Sequence, residues 1–320
     1  MKFNCHLNYY LVLSFFFYCC LSHATELKEV QDFGLNPGNL KLFTYNTTAP
    51  KNKAVVFVLH GCSQNASDIE LLSEWQKLAD KNNFSVFYPQ QKMINNLSSC
   101  FNWFLESDIN KNGESLSIYH MMRYAIDSLK ADSTQLFFYG VSAGACMAEV
   151  MCANYPWLVN TAVICAGIPY KTATGIKALG LMGKPHQKTE KEWGDLVRNQ
   201  NTFYTGKYPR IIVVHGTKDK IANYGYANEI IKQWTNANGI KNSSPNEVIK
   251  FEGNERVSRI NYNGANGKEV VVFYSIKDMG HELPVDVGSG EKQGGKEKLF
   301  SKDIDFFLTY YLIKDFGLIH

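Results

Sequence analysis

A mostly parallel β-sheet with helices packed on its faces is the α/β architecture this sequence predicts, and three observations predict it. Short runs dominated by apolar residues recur along the chain, at 54–59, 84–88, 136–139, 161–166, 211–214 and 270–275. A strand without polar alternation is one buried on both faces, as in a parallel sheet. Segments with helical spacing alternate with these runs, at 68–82, 114–130, 145–155 and around Ala227, Ile230, Ile231 and Trp234. The third observation is a strand, a tight glycine turn and a helix in direct succession, at Leu136 to Ala148.

That third stretch carries chemistry. The aromatic run Leu136-Phe137-Phe138-Tyr139 leads into Gly140-Val141-Ser142-Ala143-Gly144, and a small-residue helix pattern follows as far as Pro156. Gly-x-Ser-x-Gly between a buried strand and a helix is the nucleophile elbow of an α/β-hydrolase. The turn forces its central residue into a strained conformation, and Gly140 and Gly144 let strand and helix approach closely. Ser142 then stands at a helix N-terminus, where free N–H groups favour developing negative charge.

Before the first strand, Lys2 precedes an apolar run at 11–21, and Ser22-His23-Ala24 offers the small residues of a cleavage site. Residues 1–24 therefore read as a signal peptide, with the mature chain secreted or periplasmic and free of the membrane after cleavage. Residues 25–320 follow, about 296 in number, and read as a single catalytic domain. A net charge of +3, with 45% hydrophobic and 20% charged residues and no Lys/Arg cluster, gives no sign of a nucleic-acid partner. The mature part has five cysteines, at 62, 100, 146, 152 and 165. Cys146 and Cys152 fall on different faces of one helix, too distant to bridge, and Cys62–Cys100 is the preferred disulfide because both fall in loops expected near the active site. Asn-x-Ser/Thr triplets begin at Asn46, Asn65, Asn83, Asn96 and Asn242.

The strand at 54–59 exits into His60-Gly61-Cys62-Ser63-Gln64. In this fold that loop gives one N–H of the oxyanion hole, and the residue after the nucleophile gives the other. Cys62 and Ala143 are therefore the expected backbone donors, with Ser63 beside them as a candidate substrate contact. Helix 68–82 shows an apolar face of Ile69, Leu72, Trp75, Leu78 and Ala79, and the next strand is expected to stop at Pro89. Trp103, in the aromatic loop Ser99 to Phe104, and Tyr170, after the strand at 161–166, are two more candidate walls of the substrate site. Residues 171–209 break the strand–helix rhythm and are expected to form a cap or rim. The strand at 211–214 ends in His215-Gly216-Thr217-Lys218-Asp219, and a carboxylate just past a strand end is where the triad acid sits. Asp219 is preferred to Asp278. Residues 236–268 are expected to carry a short hairpin before the strand at 270–275. That strand leads to Asp278-Met279-Gly280-His281, which makes His281 the expected general base, with Gly280 allowing close approach. His60 and His215 read as structural, and His120 and His186 lie at the wrong points in the strand order. A Ser142-His281-Asp219 triad needs no cofactor, and neither His nor Cys spacing suggests a metal site.

With these residues in hand, the chain resembles the poly(3-hydroxybutyrate) depolymerase family of esterases, relatives of the feruloyl and acetylxylan esterases. The resemblance rests on LHGCSQ (59–64), CFNWF (100–104), GVSAG (140–144), AGIPY (166–170), EWGDLVR (192–198), HGTKD (215–219) and MGHELPVDVGSGEKQGG (279–295), in order. It implies Ser142, Asp219 and His281 as the triad, Cys62 at the oxyanion loop, and exported hydrolysis of short hydroxyacid polyesters. The segment after His281 looks more like the polyester branch than the sugar-ester branch. Two positions depart from the pattern, Cys146 for a small apolar residue and Phe101 for Trp. No linker and substrate-binding module follows, so oligomers or amorphous polymer are expected in preference to crystalline granules.

Overall fold

The computed structural model describes residues 27–46, 53–175, 177–240 and 245–319. The expected signal peptide and the triplet at Asn242 lie outside the described residues. In chain order the strands and helices are Lys28–Val30 (β1), Lys41–Tyr45 (β2), Val55–Leu59 (β3), Ala66–Ser73 (α1), Trp75–Asn82 (α2), Ser85–Gln90 (β4), Glu106–Ile109 (α3), Gly113–Asp127 (α4), Leu136–Val141 (β5), Ala143–Asn154 (α5), Thr161–Cys165 (β6), Lys177–Leu181 (α6), Glu190–Arg198 (α7), Arg210–Gly216 (β7), Gly225–Ala237 (α8), Asn246–Val248 (β8), Val257–Asn263 (β9), Glu269–Ile276 (β10), Leu283–Val285 (β11), Ser301–Asp303 (β12) and Leu308–Asp315 (α9).

Among the described residues ten strands form one sheet in the order β1-β2-β4-β3-β5-β6-β7-β10-β9-β8. The stretch from β4 through β10 is parallel, which is why its strands are joined through helices and read as unbroken apolar runs. Antiparallel strands finish both sides. Each side ends in a three-residue strand: β1 carries Lys28 and Glu29, and β8 carries Asn246 and Glu247 with all its residues exposed. Alternate side chains of one strand feed opposite cores. Phe57, Leu59, Phe138, Ile164 and Val213 pack with α4, α5 and α8. Val56, Val58, Phe137, Tyr139, Val163 and Val214 pack with α1, α2 and α9. Among the described residues no helix is long and apolar enough to cross a membrane.

Two expected elements differ. The helix expected over 68–82 is broken at Glu74, which takes the left-handed conformation at φ 46° and ends α1 while opening α2. The Glu70 carboxylate accepts the Gln76 N–H, so a side chain supplies the cap that helical spacing cannot announce. Pro89 does not stop its strand. It pairs with Leu42 of β2, and β3 pairs with β4 only over Ser85–Phe87, so the missing N–H is not needed there. The short hairpin expected within 236–268, ahead of the last long strand, is β8–β9.

Within 171–209 the chain does two things. α7 opens on a Thr189/Glu192 capping box and docks on α8, where Trp193 Nε1 donates to Glu229 at 2.6 Å. Met182, just after α6, instead reaches the cavity described next.

Candidate active site

The C-terminal ends of the parallel strands β3, β5, β7 and β10 converge on Ser142. The residue has φ 53° and ψ −118°, the strained turn expected between β5 and α5. The turn is held from below, because Ser142 N–H donates to Cys165 O at 2.9 Å. It exists only because two glycines let backbone meet backbone. A Cβ on Gly144 would lie 2.3 Å from Leu59 O and 2.6 Å from His60 O, and one on Gly140 would lie 2.3 Å from Gly144 O. Gly144→Ala is therefore expected to destabilise the fold by about 3 kcal/mol or more, since backbone cannot give way as a side chain can. Gly180→Ala, with nothing within 4 Å of its added Cβ, is the control, and urea midpoints of the two variants make the comparison.

Ser142 Oγ lies 2.9 Å from His281 Nε2, and His281 Nδ1 lies 2.7 Å from Asp219 Oδ2. The second oxygen of Asp219 accepts the N–H groups of Ile221 at 2.9 Å and Ala222 at 3.0 Å. His215 Nε2 sits 2.7 Å from Ala222 O and 3.4 Å from Asp219 Oδ2. Burial alone would raise the Asp219 carboxyl, but hydrogen bonds from His215 and His281 hold it at about 2. An ionised Asp219 fixes the proton of His281 on Nδ1 and leaves Nε2 as acceptor for the Ser142 hydroxyl. Asp278, the rival acid, is exposed and pairs with Lys218 at 2.7 Å. The close approach expected at Gly280 is found at Gly216 instead. A Cβ there would lie 2.4 Å from Met279 O, whereas one on Gly280 meets nothing nearer than 3.6 Å.

Above Ser142 opens a cavity of about 220 Å³. Gly61, Cys62, Ser63 and Gln64 line one side, Val141 and Ser142 the floor, Ala166, Met182, Ile221 and Phe300 the apolar wall, and His281 and Glu282 the remainder. The N–H groups of Cys62 and Ala143 find no acceptor among the described residues. The loop that carries Cys62 is pinned on several sides. Gly61 N–H donates to Gln64 Oε1 at 2.8 Å, Ser63 N–H donates to Ser98 O at 2.7 Å, and Cys62 is disulfide-bonded to Cys100. Cys146, Cys152 and Cys165 remain free and buried.

The family model described as esterase PHB depolymerase matches residues 40–256. The chain belongs to that family. It is 38% identical over 305 residues to poly(3-hydroxyalkanoate) depolymerase C of Paucimonas lemoignei, covering 93% of this chain and 72% of the relative. It is 29% identical over 283 residues to feruloyl esterase B of Talaromyces funiculosus, covering 82% of this chain and 75% of the relative. In fold it is similar to the acetyl xylan esterase from Aspergillus awamori, at a TM-score of 0.72 and 24% identity over 80% of this chain and 94% of that one. The protein is a carboxylic ester hydrolase.

Two residues expected at the substrate site of this esterase lie elsewhere. Trp103 is 5% exposed and packs edge-on against Phe104 in the core. Tyr170 is 2% exposed, its hydroxyl donates to Gln200, and its backbone N–H and C=O are both bonded by Gln233. An aromatic-rich loop reads alike as wall or as core, and here the rings fill the core. Met182, Ile221, Phe300, Gln64 and Glu282 line the cavity in addition to the expected residues. Met182, Ile221 and Phe300 come from three distant stretches with no motif to join them.

His60 of the esterase is structural, as its position suggested. It is fully buried, its Nδ1 bonds Gly61 O at 2.7 Å, and its Nε2 accepts the Gln91 N–H at 3.1 Å. Gln91 in turn donates to Cys100 O and to Glu114, which also holds Asn102. Burial pushes the His60 imidazole from 6.5 down to about 4, against the raising effect of its bond to Gly61. The unfolded chain takes up this proton near pH 6.5 and the folded chain only near 4. Stability should therefore fall as pH drops through that window, by about 3 kcal/mol from this group. Urea midpoints across pH 7 to 4 check it, and the fall should be shallower in His60→Asn.

Proposed function

We propose that this chain is an exported serine esterase that cleaves short-chain hydroxyalkanoate polyester or its oligomers. The observation that carries the proposal is the unbroken row Asp219–His281–Ser142, with spacings of 2.7 and 2.9 Å, at the floor of an apolar cavity. In this reading Ser142 Oγ attacks the ester carbonyl carbon while His281 Nε2 takes its proton, and Asp219 stabilises the imidazolium. The N–H groups of Cys62 and Ala143 receive the oxyanion, each worth roughly 3–4 kcal/mol of barrier. Collapse breaks the C–O bond, His281 returns the proton to the leaving alkoxide, and an acyl-Ser142 ester remains. Water, deprotonated by His281, then attacks that ester, and its collapse releases the carboxylic acid and restores the serine. Each step uses only protein groups and water.

The substrate class follows from likeness, since the relative at 38% identity over most of this chain is named for a poly(3-hydroxyalkanoate). Export is supported by the apolar stretch at 11–21 and by a disulfide, which persists in oxidising compartments. Residues 25–320 act as one catalytic unit in this reading, with Met182 of the 171–209 segment on its rim. Turnover of soluble 3-hydroxybutyrate oligomers against methyl ferulate tests the proposal. A higher kcat/KM on the oligomers is expected, and the reverse order would move the chain to the sugar-ester branch.

A further inference from the structure

Among the described residues lining the cavity above Ser142, Glu282 supplies the one carboxylate, and no Lys or Arg lines it. Glu282 follows His281 directly, is partly exposed, and turns back so that Oε2 accepts the Gly280 N–H at 3.3 Å. None of the ion pairs among the described residues includes it. Its charge is thus not neutralised by a neighbouring cation, and the wall around it is mostly apolar: Val141, Ala166, Met182, Ile221 and Phe300. A lone carboxylate against such a wall projects a negative field into the space where the acyl group lies.

Ester hydrolysis starts from a neutral ester and ends with a carboxylate. We propose that Glu282 is a specificity-determining residue that excludes anions from this cavity, admitting neutral acyl chains, rejecting acyl chains that end in a free carboxylate, and hastening departure of the acid product. The inference rests on the reading of Ser142 as nucleophile, but not on which ester is natural. In an oligomeric hydroxyacid the acyl fragment carries the hydroxyl end and the free carboxylate departs on the leaving-alcohol side, so the ester bond next to the free-acid unit, which would bring that carboxylate nearest the cavity, is disfavoured. Cuts then fall in the interior or toward the hydroxyl end.

The test uses two synthetic esters of equal acyl length, para-nitrophenyl hexanoate and mono-para-nitrophenyl adipate, with the full chain. The wild type is expected to prefer the neutral ester, chiefly through KM, and Glu282→Gln, which keeps an oxygen for the Gly280 N–H, should reduce that preference about tenfold at low salt. Inhibition by 3-hydroxybutyrate should strengthen in the same variant. Raising salt to about 0.5 M should shrink the preference in the wild type, a measurement that stands even if the variant does not fold. An unchanged ratio between wild type and variant, or a preference in the wild type that ignores salt, overturns the inference. Failure of the polyester reading would appear separately, as poor turnover of hydroxybutyrate oligomers with the ester ratio still responding to Glu282→Gln.

Discussion

Ser142→Ala is expected to lower kcat/KM on a soluble short-chain ester by about 10⁴- to 10⁶-fold while leaving the fold in place. The loss is large because the hydroxyl is the atom that bonds the acyl carbon. Whatever activity remains comes from the oxyanion donors and cavity binding alone. The fold should survive because the strain belongs to the backbone. The turn holds φ 53° through the Cys165 carbonyl and the contacts at Gly140 and Gly144, none of which involves the Ser142 hydroxyl. A fluorophosphonate probe should label the wild type at Ser142, located by peptide mass spectrometry, and leave the variant unlabelled. Activity within tenfold of the wild type in a folded, unlabelled variant would remove Ser142 from the mechanism.

Asp219→Asn should cost about 10⁴-fold in kcat, through a tautomer. One oxygen of Asp219 accepts two backbone N–H groups, from Ile221 and Ala222, so the amide oxygen of an asparagine must take that place. The amide NH₂ then faces His281 Nδ1, which must become an acceptor. The imidazole proton moves to Nε2, where it points at Ser142 and can no longer take the serine proton. In the wild type the carboxyl, held at about 2, stays ionised across all working pH values. Protonation of Asp219 should therefore add no limb to the rate profile above pH 4, and kcat profiles of both forms from pH 4 to 9 check this.

The elbow was legible because its physics is local: one strained residue needs two glycines at fixed offsets, and both are written in the sequence. The same holds for Cys62, Asp219 and His281, each just past a strand end. What was not legible depends on packing between distant segments. Nothing around Met182, Ile221 or Phe300 announces that they share a wall, and nothing in the composition of Ser99–Phe104 tells a buried Trp103 from one facing substrate. The break at Glu74 was hidden because apolar spacing continues through it, while the cap that permits it comes from the Glu70 side chain. Gly280 looked like the point of close approach because it adjoins His281, but the crowding falls on Gly216, on the neighbouring strand β7.

Among the described residues the ten-stranded sheet ends at β1 and β8 with no further strand outside them, and an unpaired strand is where another copy can add itself. Here both ends are cut short and carry charge: Lys28 and Glu29 on β1, Glu247 on β8. Stacking molecules end to end would strip water from those side chains for only a three-residue ladder in return. The short, charged terminal strands thus offer a second copy little to pair with.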